Sequence, residues 1–263
     1  MNKLNTQLGK IQSSAKPGFM MHMVAGYPDL ESSEKIASQI LTSGADLLEI
    51  QIPFSDPVAD GPIIAQANEL ALKNGVTVEE SLLMIKRVVA STEKPILIMT
   101  YFNIIQNFGV EQFCQRAAEL GVQGLIVPDY PHDEEKDNLL IKHAQQNELA
   151  LIQVIASTSR ADRIQAIVEH ASGFIYCMAR TGITGKKTDI NMQTIKYLES
   201  VRAICELPMA VGFGLSERSQ VHDLEGYAQI MVVGSALIKE YADRPLDEGL
   251  VQIKKFMNHL IGS

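Results

Sequence analysis

The sequence predicts a (β/α)₈ barrel, and three observations point there. Eight units of a strand followed by a helix succeed one another within 263 residues, close to the usual size of such a barrel. The strands are near-continuous apolar runs, as expected of a parallel sheet buried on both faces. Side chains suited to chemistry gather at or just past the C-terminal ends of those strands, where barrel enzymes place their sites. A doubly wound open sheet is the alternative. It would normally carry a Gly-rich phosphate fingerprint after its first strand, and the AGYPD at 25–29 is not one. No linker, low-complexity stretch or usable internal repeat breaks the chain, so residues 1–263 are expected to form a single domain.

Leu4, Leu8 and Ile11 recur at helical spacing and predict an extra leading helix over 2–13. A strand over 19–25 turns at AGYPD. Asp29 or Ser32 can then cap a helix carrying Ile36, Ala37, Ile40 and Leu41, stopped at Gly44. A strand at 47–52 is closed by Pro53, and a helix over 62–74 takes Pro62 into its first turn. Thr77 and Glu80 make a capping box for a helix to about residue 91. Further strands are expected at 95–101, 122–128, 149–155, 173–178, 208–213 and 229–234. The helices between and after them are expected at 110–120, 133–146, 159–170, 190–204, 216–225, 235–242 and 246–260, with Ser159-Arg160-Ala161-Asp162 capping the third of these.

Composition narrows the function classes. Hydrophobic residues make up 46% and charged residues 21%, as in an ordinary globular protein. A net charge of −8 argues against a nucleic-acid surface or an anionic membrane as partner. No apolar run is long enough to span a bilayer, and the N-terminus lacks the apolar core of a signal peptide. Cys114, Cys177 and Cys205 are far apart and odd in number, without metal-ligand spacing. A reducing cytoplasm is their simplest home.

The chemistry centres on 48–62, LEIQIPFSDPVADGP. Strand alternation puts Leu47, Glu49 and Gln51 on one face and Leu48, Ile50 and Ile52 on the other. A carboxylate within such a run is costly to bury unless something binds it. Asp60, on the loop that follows, can reach back toward Glu49. Two carboxylates in different environments are raw material for acid–base chemistry. A strand Glu can also be an edge or ion-paired residue, and Asp before Gly a turn former. The remaining strand ends favour chemistry, because Tyr101, Asp129 and Tyr176 fall there too. Gly212-Phe213-Gly214 closes the seventh strand, Gly234-Ser235 closes the eighth and opens a helix, and Gly182 and Gly185 frame the loop after the sixth. Glycines let backbone N–H groups approach an anion, so these three loops are candidates for holding phosphate.

With these pieces placed, the chain closely resembles the tryptophan synthase alpha subunit family over essentially its whole length. The most specific segments are AGYPD at 25–29, IPFSDPVADGP at 52–62, MTYFN at 99–103, IVPD at 126–129, RTGITG at 180–185, GFG at 212–214 and GSA at 234–236. The resemblance implies a retro-aldol cleavage of indole-3-glycerol phosphate to indole and glyceraldehyde 3-phosphate, without metal or cofactor. It assigns proton transfer to Glu49 and the hold on the indole N–H to Asp60. Tyr101 and Tyr176 match pocket tyrosines. Gly185, Gly214, Gly234 and Ser235 match the phosphate site, with Phe213 beside it. Thr184 matches a water-excluding lid, and Asp56 the region that contacts a pyridoxal phosphate-dependent beta subunit. Asp129 is carried as a further substrate contact.

The chain departs from the family at Gln51, usually Gly, at His22, usually Phe or Tyr, at Val24, usually Thr, and at Phe174, often Tyr. None touches Glu49 or Asp60; they bear on pocket shape. His22 matches an inward pocket position and Gln51 shares a face with Glu49, so both are candidate substrate contacts. The two are expected to approach one another, with Gln51 within reach of Glu49. A packed core histidine is the bland alternative for His22. Two other functions compete: a different phosphate-ester barrel isomerase or epimerase, which would not need the Asp60 loop, and a weakly active subunit that only activates a partner, which would not need both carboxylates.

Overall fold

The computed structural model describes residues 2–130, 139–178 and 192–262. The elements run α1 (Lys3–Ser13), β1 (Gly18–Val24), α2 (Leu30–Thr42), β2 (Leu47–Gln51), α3 (Pro62–Lys73), α4 (Val78–Ala90), β3 (Ile96–Met99), α5 (Phe102–Phe108), α6 (Val110–Glu119) and β4 (Gly124–Ile126). They continue with α7 (Leu139–Gln146), β5 (Ala150–Ala156), α8 (Ala161–Val168), β6 (Ile175–Met178), α9 (Met192–Arg202), β7 (Met209–Gly212), α10 (Arg218–Leu224), β8 (Ile230–Val233), α11 (Ser235–Tyr241) and α12 (Leu246–Ile261). The strands pair in parallel from β1 through β8, and β8 closes on β1. This is the (β/α)₈ barrel with its extra N-terminal helix.

Strand alternation divides the core into two layers. Met20, Leu47, Leu97, Ile126, Ile152 and Val232 turn inward and fill the barrel. Leu48, Ile50 and Ile52 turn outward into the larger cluster beneath the helices. Leu4, Leu8 and Ile11 of α1 belong to the inner cluster, so this helix plugs the N-terminal end of the barrel. Phe174, which is fully buried, lies in that same cluster. With one end plugged, the C-terminal mouth is left for a site.

Local signals act as their chemistry requires. Asp29 is the N-cap of α2 and accepts from Ser32 N at 2.8 Å and Ser32 Oγ at 2.7 Å. Thr77 and Glu80 complete a reciprocal capping box on α4. Two expectations need correcting. A short helix, α5, stands between β3 and α6 where sequence spacing gave only loop. Its seven residues are too few for a clear period, and Gly109, at φ +96°, separates it from α6. Helix α8 takes Arg160 as N-cap without any side-chain cap, because a guanidinium has no acceptor to offer the first N–H groups; it donates to Asp162 in the first turn. The expected beginnings of the helices at 133 and 190 lie outside the described residues.

Candidate active site

Glu49 sits midway along β2, opposite His22 of β1 in the parallel register. Both share the inward face of their strands with Leu47 and Met20, and both are buried, Glu49 to 2% exposure and His22 to 5%. His22 Nδ1 lies 3.4 Å from Glu49 Oε2, an ion-pair distance just beyond a good hydrogen bond. Burial alone would push the imidazole down. The Glu49 carboxylate, then Asp60 and the Gln51 carboxamide, outweigh this, so His22 stands above its ordinary 6.5. The packed-core reading of His22 is therefore set aside: its neighbours are carboxylates.

Asp60 reaches back from the β2–α3 loop, as its spacing from Glu49 suggests. Its Oδ2 accepts from Gln51 Nε2 at 2.7 Å and from the Tyr101 hydroxyl at 2.9 Å. Burial raises its carboxyl above the ordinary 3.8, and Glu49 adds to this; His22 and the two hydrogen bonds oppose it. The two carboxylates thus differ in surroundings, one against an imidazole and one against neutral donors. Tyr176, on β6, is pushed well above its ordinary value by burial first and then by Glu49 and Asp60 together. It stays neutral beside both. A Cβ at Gly212 would stand 2.9 Å from the Tyr176 ring, so this glycine makes room for the tyrosine.

Gln51 departs from expectation. Its amide nitrogen turns to Asp60 and, at 3.3 Å, to Asn68 Oδ1, which occupies both its hydrogens and leaves none for Glu49. Toward His22 the expectation holds: the two side chains approach one another, and the Gln51 carboxamide favours the protonated ring. Asn68, fully buried on α3, also accepts from Phe54 N at 2.9 Å and donates to Ile64 O at 2.8 Å. On the other side of the loop, Ala59 N donates to the Tyr101 hydroxyl at 3.1 Å, and the Phe54 ring stacks on Tyr101 at 5.0 Å. The loop carrying Asp60 is thus pinned to the barrel at both ends. Sequence reasoning missed Asn68; the signal was an amide on the buried face of α3, between Ala67 and Ala71.

Asp129 is exposed on the rim, and its Oδ1 accepts from Phe102 N at 2.8 Å, which fastens the start of α5 to the end of β4. Its charge also acts on Tyr101. Phe213 is buried in the outer cluster, so only its backbone faces the mouth between Gly212 and Gly214. Gly214 is exposed at φ +70° with open space around a would-be Cβ. Gly234 caps α11 ahead of Ser235, and a Cβ there would stand 3.4 Å from His22 Cβ. The β7 and β8 glycine loops thus rim the same mouth. Thr184 and Gly185, with Gly182, lie outside the described residues. Among the described residues, no three His, Cys, Asp or Glu side chains gather as a metal site requires. Nor is any helix among them long and apolar enough to cross a membrane.

A closed parallel barrel with two differently placed carboxylates at its C-terminal mouth has the layout of a barrel enzyme. The family profile described as "Tryptophan synthase alpha chain" matches residues 8–259, and the chain belongs to that family. The tryptophan synthase alpha chain of Syntrophotalea carbinolica is 45% identical over 232 residues, 88% of each chain. That of Picosynechococcus is 35% identical over 99% of this chain and 98% of its own. Among solved structures, a chain of Mycobacterium tuberculosis tryptophan synthase superposes with a TM-score of 0.88 at 30% identity, covering 98% of this chain and 96% of that one. A chain of the Pyrococcus furiosus tryptophan synthase a2b2 complex gives 0.87 at 32% identity, covering 94% and 99%.

Proposed function

We infer that this chain, as one barrel domain over 1–263, splits indole-3-glycerol phosphate into indole and glyceraldehyde 3-phosphate, a carbon–carbon lyase step of tryptophan biosynthesis. The observation that carries the residue roles is the pair of carboxylates, Glu49 buried and Asp60 half-buried, held in different surroundings within one mouth. The indole ring carbon that bears the glycerol chain must gain a proton. The adjacent glycerol hydroxyl must lose one, and the bond between them then breaks. Glu49 carries both protons. Asp60, locked on one oxygen by Gln51 and Tyr101, turns its other oxygen to the ring N–H and stabilises the positive charge that protonation creates. Tyr176 and Tyr101 wall the ring, and the Gly214, Gly234 and Ser235 backbone holds the phosphate, with Thr184 and Gly185 completing the enclosure.

The reaction as written asks for no cofactor. The indole passes to a beta chain, as in the a2b2 complex of the P. furiosus relative. Asp56 on the β2–α3 loop is exposed, and Val58 beside it is 76% exposed, which suits a loop awaiting a protein surface. Three buried free cysteines suit a reducing cytoplasm.

The test is incubation of the purified chain with indole-3-glycerol phosphate, with and without a beta subunit, reading indole release. Glu49→Gln should keep the fold and lose roughly 10²–10⁴-fold in turnover. A variant with near-parental kcat overturns the assignment of Glu49.

A further inference from the structure

Two carboxylates in one pocket repel each other, and something must hold them at neutral pH. Of the groups that act on Asp60 among the described residues, His22 is the basic one. It stands directly across the strand ladder from Glu49, at 3.4 Å, with both side chains nearly removed from water. Three buried polar atoms, His22 Nε2, Glu49 Oε2 and Gln51 Oε1, have no regular hydrogen-bond partner. Their residues sit on neighbouring strands of the mouth, and a structural ion pair would normally satisfy them.

We propose that His22 and Glu49 form one proton-holding unit, in which the imidazole stores the proton that the Glu49 carboxylate delivers to the indole ring carbon. The inference rests on the lyase reading for its chemistry, though not for the pairing itself. One proton is shared: imidazolium facing carboxylate exchanges with neutral imidazole facing carboxylic acid. The acid gives its proton to the ring carbon, forming a C–H bond and leaving the ring cationic. The carboxylate then takes the proton of the glycerol hydroxyl. The electron pair of the breaking carbon–carbon bond returns to the ring, and the pair again holds one proton. His22 touches no reacting atom in this scheme and is a positioning residue acting through Glu49.

The groups facing His22 bear this out. Among the described residues, Glu49 on β2 and Asp60 on the following loop are the ionisable groups that act on it, and both favour its protonated form. The β8–α11 turn and α3 present Gly234 and Ile64 near it, neither of them charged. Tyr176 remains neutral. Between these carboxylates the imidazole holds its proton above its ordinary 6.5, where a reaction that begins by protonating carbon still needs one.

The pairing is read without substrate. The protein has six histidines, and His22→Asn assigns the His22 ring signal in the NMR titration of the full chain. That signal should titrate above the ordinary 6.5, and Glu49→Gln should lower it. A His22 that titrates at or below its ordinary value, or that ignores Glu49→Gln, overturns the proposal even if the chain is an active lyase. Kinetics then read the role. His22→Asn and His22→Phe should both shift the alkaline limb of kcat/KM to lower pH and cost about tenfold near pH 8. Unchanged limbs in both variants overturn the proton-storing role. Loss at all pH values by one factor indicates a merely structural histidine and overturns it equally.

Discussion

At the scale of single residues, Asp60 separates charge from hydrogen bonding. Gln51 Nε2 and the Tyr101 hydroxyl both donate to the same oxygen, Oδ2. An asparagine oxygen can accept from both, so Asp60→Asn keeps the network and removes only the charge. If that charge stabilises the protonated ring, kcat should fall about 10²-fold while KM moves only a few-fold. Steady-state kinetics decide it: a loss confined to KM would make Asp60 a binding residue. The two carboxylates were legible because their chemistry is written in residue type and spacing. The partners were less so. Strand parity places Gln51 on the face of Glu49, yet it does not say which acceptor a flexible carboxamide will choose. That choice is made by Asn68, which arrives from a helix 17 residues on. Asp129 has a second task that its position at a strand end does not reveal, holding the first N–H of a helix from another unit.

At the scale of elements, the alternation of strands and helices was legible throughout, because the strands are continuous apolar runs and the long helices carry a clear buried stripe. Helix α5 was not, since seven residues between a strand end and Gly109 hold too little pattern. The β2–α3 loop is the element on which the site depends. Phe54 N is held by Asn68 at one end and Ala59 N by Tyr101 at the other. Asn68→Ala would leave Phe54 N and one hydrogen of Gln51 buried without acceptors. It should cost about 1–3 kcal/mol of stability, measurable by urea unfolding. It should also raise KM, because the loop that positions Asp60 loses one of its two pins. Asn68→Ala with parental stability and KM would mean that the loop is held by other contacts.

At the scale of the whole molecule, the barrel separates its two ends. The N-terminal end is plugged by Leu4, Leu8 and Ile11, with Gln7 donating to Asp46 beside them, whereas the C-terminal mouth buries His22 and Glu49 and half-buries Asp60. Stability should therefore answer to pH through the mouth. His22 binds its proton more tightly in the folded chain than its ordinary 6.5 implies. Its contribution is complete below that value and is lost as pH rises through the folded value. Asp60, raised above 3.8, acts in the same direction at lower pH: its contribution is complete below 3.8 and declines as pH rises through the folded value. Folding thus takes up protons at this site, and the site favours the folded state most in acid. As pH rises above the ordinary 6.5 of His22, its part of the stability should be lost, so the urea midpoint of the parent should fall more steeply there than that of His22→Phe. The comparison between variants cancels the titration of the other histidines, which both chains share. Parallel slopes would mean that His22 has the same proton affinity folded and unfolded, and that the carboxylates at the mouth are balanced by something other than its charge.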